Sequence, residues 1–202
     1  TITGSYSAEL DNPIWGMENN PNYDMTNRVM ANFGMTYKPT NWLDIRGTAG
    51  TDVYSFRGAS GYHPESYNAN VSGTSSVGGG INTFNNNVRL LTANLVATAK
   101  QTYGKFKPVL RLGYDINDTR SETTSQFGAR FLETNFFSLN NTDPSTQRVA
   151  YADVRTRKMG AFGQAELGYA DLLYLTFTGR MDFSSTLPIA NYNFFYPAAS
   201  LS

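Results

Sequence analysis

Side chains able to do chemistry are few and scattered in this chain. His63 is the one histidine; it stands beside Pro64 with no cysteine, second histidine or carboxylate cluster near it, and reads as a solvated loop residue. Gly58-Ala59-Ser60-Gly61 lacks the spacing of a nucleophile elbow. Asp115-Ile116-Asn117-Asp118-Thr119 begins like a calcium loop, but Arg120 takes the glycine position and Gln126 the final glutamate position. No glycine-rich loop is placed to cradle phosphate. The expectation is no enzyme, no cofactor and no metal. What remains is recognition by polar side chains: Asp44, Arg46, Asp52, Tyr54, Arg111, Asp115, Lys158, Gln164, Glu166, Arg180 and Asp182. Their plainer role is to solvate and cross-link a β-wall through opposed charges.

These residues share one phase of a two-residue alternation. From Trp42 to Phe56 the even positions carry Asp44, Arg46 and Asp52, and the odd ones read Leu43, Ile45, Gly47, Ala49, Thr51, Val53, Ser55. From Phe106 to Asn117 one phase is Phe106, Pro108, Leu110, Leu112, Tyr114, Ile116; Lys107, Arg111 and Asp115 lie on the other. Leu173 to Phe183 repeats the pattern, with Arg180 and Asp182 opposite Leu175 and Phe177. A period of two puts one side of a sheet against something apolar and the other against water. These runs exceed the ~5–6 residues of an ordinary strand and suit the ~9–11 tilted residues that cross a bilayer. They predict that Ile45, Ala93, Leu95, Leu110, Leu112, Leu175 and Phe177 face lipid.

Composition agrees. Lys+Arg 16 against Asp+Glu 16 leaves no net charge, which argues against nucleic acid as a partner. There is no cysteine, hence no disulfide framework or thiolate metal site. No apolar run approaches the ~18 residues of a membrane helix, so a spanning structure must be a closed barrel. No charged-then-apolar leader opens the chain.

Strands are expected near 1–8, 27–38, 42–56, 87–102, 106–117, 157–169, 173–183 and 195–202. Tight connections are expected at Lys38–Asn41, Gly104-Lys105 and Ala170–Leu172, alternating with long polar stretches near 10–26, 57–86, 118–156 and 184–194. Short turns on one rim and long loops on the other are the asymmetry of outer-membrane barrels. Tyr37 and Trp42, Tyr103 and Phe106, and Tyr169 and Tyr174 flank the three turns, as an interfacial aromatic girdle would. Ser72 to Gly80 is a flexible segment, and Asn140-Asn141-Thr142-Asp143-Pro144 is turn chemistry. Trp15, Tyr62, Tyr67, Phe84 and Phe137 fall in the outer stretches, where rings can stack on sugars or peptide side chains, or pack the loops.

Asn12-Pro13-Ile14-Trp15, Asn19-Asn20-Pro21-Asn22-Tyr23-Asp24 with Arg28, and Pro39-Thr40-Asn41-Trp42-Leu43 resemble the barrel of SusC/RagA-type TonB-dependent transporters. So do Gly160-Ala161-Phe162-Gly163-Gln164-Ala165 to Tyr169, Tyr174-Leu175-Thr176, Arg180-Met181-Asp182-Phe183-Ser184-Ser185 and Phe195 to Ser202. Phe183 departs from the small residue usual there. The resemblance runs nearly the whole chain in order. It implies an all-β, antiparallel up-and-down transmembrane β-barrel segment, about eight strands of a 22-stranded barrel. It places 1–202 within the barrel domain, with the plug and the TonB box absent from this chain. It further implies a SusD-like surface lipoprotein over the outer mouth, a TonB complex engaged through a segment outside this chain, outer-membrane lipid around the wall, and location in the bacterial outer membrane. About eight strands cannot close around a plug, so a middle slice of a longer protein is expected.

The functional expectation is energy-coupled import of oligosaccharides or peptides. A passive porin would share the strands without plug or TonB segment. A non-membrane binding or adhesion sheet would bury the apolar phase against a second sheet.

Overall fold

The computed structural model describes residues 11–66, 78–188 and 192–202. Among these residues a short helix, α1 (Pro13–Asn19), is followed by seven strands: β1 (Asn22–Thr40), β2 (Leu43–Tyr62), β3 (Gly80–Lys100), β4 (Phe106–Ala129), β5 (Arg148–Tyr169), β6 (Leu173–Ser184) and β7 (Asn193–Leu201). They form one open antiparallel sheet in chain order, each strand beside its sequence neighbours. Consecutive strands pair because tight connections leave the following strand nowhere closer to go.

The expected strands are all present where the structure describes them, but several are longer. β4 has 24 residues and β5 has 22. Much of the stretches 57–86 and 118–156, expected as loop, is strand instead. The reason is local. Thr119, Thr123 and Thr124 favour extended backbone, and a ladder of backbone hydrogen bonds persists where both faces are polar. The stretch 10–26 likewise holds α1, capped by the Asn12 side chain on the Ile14 N–H at 2.9 Å, and the start of β1. The strand expected at 1–8 lies outside the described residues, as does most of the glycine-serine segment.

The tight turns follow from chemistry. Gly104 takes φ +60 between Tyr103 and Phe106, whose backbones exchange hydrogen bonds of 2.8 and 3.0 Å. Ala170 and Asp171 take φ 52 and 59 in the three-residue connection of β5 to β6, where the Leu172 N–H returns to the Tyr169 carbonyl at 3.0 Å. The first turn sits at Asn41-Trp42, slightly later than expected.

Contacts cluster into two units. A turn unit comprises Arg28–Val53, Val88–Arg120 and Val154–Ser202; a loop unit comprises Thr1–Asn27, Tyr54–Asn87 and Ser121–Asp153. Much of what is buried belongs to the loop unit, where Ala59, Ile81, Ala129, Asn141 and Thr142 are enclosed. Asn141 pins the loop after β4: its amide donates to the Glu133 and Phe136 carbonyls at 2.7 Å, and its side-chain oxygen accepts from the Glu133 N–H at 3.0 Å. Asp143 caps the next turn at Pro144–Thr146, and its hydrogen bonds from Ser145, with Arg130 at 3.0 Å, hold its carboxyl below the usual range. Asn140–Pro144 is therefore turn chemistry in fact.

Candidate functional site

In the turn unit the alternation resolves into two faces. On β5 and β6 the register pairs Gly160 with Asp182, Phe162 with Arg180, Gln164 with Thr178 and Glu166 with Thr176 on one face. Met159 with Phe183, Ala161 with Met181, Ala165 with Phe177 and Leu167 with Leu175 form the other. β7 continues both: Tyr196 opposes Arg180, and Phe195 opposes Met181. Because side chains alternate strictly, one register serves every position.

Ion pairs cross the charged face from strand to strand. Asp52 takes the Arg28 Nε at 2.8 Å and a second bond from its terminal nitrogen. Lys38 and Lys100 approach Asp44 from either side at 3.5 and 3.6 Å, although no hydrogen bond reaches the enclosed Asp44 Oδ1. Arg111 meets Glu166 at 3.4 Å. Arg180 bridges Asp115 at 2.9 Å and Asp182 at 2.7 Å. Partly exposed pairs of this kind are screened by solvent and each adds little to stability. Their larger effect is to lock neighbouring strands in register. At the rim, Lys107 bonds Asp171 at 2.5 Å and holds its carboxyl below the usual range.

Of the residues singled out from sequence, Asp44, Asp52, Arg111, Asp115, Glu166, Arg180 and Asp182 thus enter this ladder. Arg46 and Lys158 are exposed on the same phase, and Gln164 opposes Thr178. Tyr54 lies on β2 within the loop unit. The pairing cations Arg28, Lys38 and Lys100 were missed, although they share the phase of their strands. Phe162 was also missed: it lies across Gly113, where any Cβ would collide with its ring. Gly160 leaves the same kind of room for the Arg180 guanidinium. A glycine opposite a long side chain was the readable signal.

The apolar face is open. Leu95, Leu110, Leu112 and Phe177 are each about half exposed. Leu95 lies beside Gly47 and Leu112 beside Gly163 on this face. Of the girdle residues, Phe106 and Tyr169 pack at 5.1 Å. Tyr174 departs from the expectation: it lies against Gly168, on the charged phase, with its hydroxyl donating to Asp171 at 3.3 Å.

The loop aromatics pack mainly on one another. The Trp15 ring meets His63 edge-on at 5.6 Å, and Phe137 lies 6.5 Å from His63 and 5.4 Å from Phe131. His63 is 8% exposed, so the expectation of a solvated histidine is corrected. Its N–H bonds to the Asn20 side chain at 2.8 Å, and the ring between Trp15 and Phe137 fills the loop. Phe84 belongs to β3, not to a loop, and stacks on Phe56 at 5.1 Å. It lines a hollow of about 800 Å³ with Tyr23, Arg57, Thr124 and Gln126. Tyr62 ends β2; Tyr67 lies outside the described residues. No group of three His, Cys, Asp or Glu side chains suited to a metal exists among the described residues.

No family model matches the chain, and no curated protein is similar to it at a significant level. Solved structures do match. The RagAB peptide transporter superposes at TM-score 0.80 with 15% identity, over 94% of this chain and 21% of that one. The RagAB peptide importer matches at 0.80 in its closed-closed state and at 0.79, with 16% identity, in its open-open state. The chain spans about a fifth of the length of these relatives. Its seven up-and-down strands have the fold of a slice of the barrel in RagA-type transporters.

Proposed function

We propose that this chain is part of the barrel wall of an outer-membrane importer that takes up oligosaccharides or peptides with energy supplied through TonB. The observation that carries the reading is the division of one sheet into an ion-paired face and an exposed apolar face. Such a sheet suits lipid on one side and a watery lumen on the other. The fold shared with a peptide importer supports transport over adhesion. The charged ladder lines the lumen, and Arg46, Lys158, Gln164 and the ring of Phe162 are its surfaces toward cargo or plug.

A SusD-like surface lipoprotein seats on the loop unit in this reading. Trp15 and Phe137 are committed to packing within the loops, so the anchors shift to their exposed apolar neighbours: Met17 at 85%, Leu132 at 71% and Phe136 at 55% exposure. Exposed rings and large apolar side chains dominate interface energy once buried.

The test is uptake by cells carrying the full-length protein, with and without TonB. Uptake of a labelled peptide or oligosaccharide should collapse without TonB. Uptake that survives would leave a passive pore as the better account.

A further inference from the structure

Within the turn unit the apolar phase carries charge at only five positions, and all five lie at one end of it. They are Arg89 on β3, Asp118 and Arg120 on β4, and Arg155 and Arg157 on β5. Below them the same phase reads Leu91, Ala93, Leu95 on β3, Ile116, Tyr114, Leu112 on β4, and Met159, Ala161, Gly163 on β5. The register makes them level. β3 and β4 are set by the Tyr103–Phe106 bridge and by Gln101 donating to Pro108 at 3.2 Å, which puts Arg89 directly opposite Arg120. β4 and β5 are set by Ala170 donating to Lys105 at 2.8 Å, which puts Arg120 opposite Arg155 and Asp118 opposite Arg157. Three arginines therefore form a row across adjacent strands, with the fourth one step nearer the apolar surface.

Like charges directly opposed in a sheet repel. Asp118 relieves part of this from beneath. It accepts from the Arg155 Nε and Nη2 at 3.1 and 3.0 Å and from the Arg157 Nε at 2.6 Å. The carboxylate itself is 4% exposed, while the two arginine side chains are 53% and 42% exposed. Arg89 is exposed as well. The carboxylate thus fixes two guanidiniums and presents only cations outward. Toward the tight turns this phase carries no further charge within the unit, so the arginines border its apolar stretch.

We propose that Arg89, Arg120, Arg155 and Arg157 bind the phosphates of outer-leaflet lipid headgroups where they meet the barrel wall. This rests on the outer-membrane reading above. Guanidinium forks match phosphate oxygens bidentately, and a charge band bordering an apolar surface lies at headgroup depth. The lysines of the same unit do not share this phase: Lys38, Lys100, Lys107 and Lys158 lie on the charged face, and Lys105 sits in the tight turn before β4.

The test uses the full-length protein in detergent, with bisphosphorylated lipid A and its phosphatase-treated form as probes, read by native mass spectrometry. Wild type should retain the phosphorylated lipid in preference to the treated one. Arg89→Gln, which leaves Asp118 and its two partners in place, should weaken retention roughly fivefold, and adding Arg155→Gln should weaken it further. Lys158→Gln removes a neighbouring charge from the opposite face and should leave retention unchanged. Heat-modifiable migration on gels checks that each variant is folded. No preference for phosphate in wild type, or equal loss in Lys158→Gln, would overturn the proposal while leaving the membrane reading standing. A wild-type protein that stays soluble and monodisperse without detergent would overturn both.

Discussion

Replacing Leu95 by arginine separates a lipid-facing sheet from a water-facing one. Leu95 is 54% exposed and stands midway along the apolar phase of β3, between Leu91 and Ala99. A strand rising about 3.4 Å per residue at about 40° of tilt puts it roughly 10 Å from either border of the belt. At that depth an arginine costs about 2–4 kcal/mol, whereas at a half-exposed position in water the same change stays within about 0.5 kcal/mol. Asn94 points to the charged face one residue away, and Asn94→Arg should fall in the small class. The assay is denaturant unfolding of the full-length protein in phospholipid vesicles, with the midpoint read by tryptophan fluorescence. The fraction reaching the heat-modifiable form in outer membranes serves where unfolding is irreversible. Leu95→Arg should shift the midpoint well beyond Asn94→Arg. Equal costs at the two positions, or a negligible one at Leu95, would refute a lipid-facing apolar phase.

Two further outcomes follow from the same geometry. Cysteine at Asn140 should be labelled by an impermeant maleimide on intact cells while cysteine at Gly104 should not, and the opposite result would invert the assigned topology. Gly160→Val should displace the Arg180 guanidinium from Asp115 and Asp182 and destabilise the protein by about 1–3 kcal/mol. Gly163→Ala, facing the apolar side with Leu112 at 3.4 Å, should cost less in the same denaturation assay.

The charged ladder was half visible beforehand. Asp115, Arg180 and Asp182 were identified because parity along a strand is a local property, readable from β4 and β6 separately. That Arg180 spans from Asp182 on its own strand to Asp115 on another could not be read, since β5 and its Gly160 stand between them in sequence and the gap is a matter of register. The length of β4 was underread for a related reason. Polar residues such as Thr119 to Ser125 give no apolar alternation, and only the neighbouring ladder shows that their backbone is extended. His63 was misjudged because its burial depends on Trp15 and Phe137, which are distant along the chain.

The amino-acid sequence by itself determined the two-phase strands, their up-and-down succession and the tight turns, because alternation and turn chemistry act over two to four residues. Tertiary structure alone decided which charges meet, which rings are consumed in packing the loops, and that two arginines close on one buried carboxylate beside two more on the apolar phase. Those outcomes depend on register between strands, and register is set by hydrogen bonds between residues far apart in sequence.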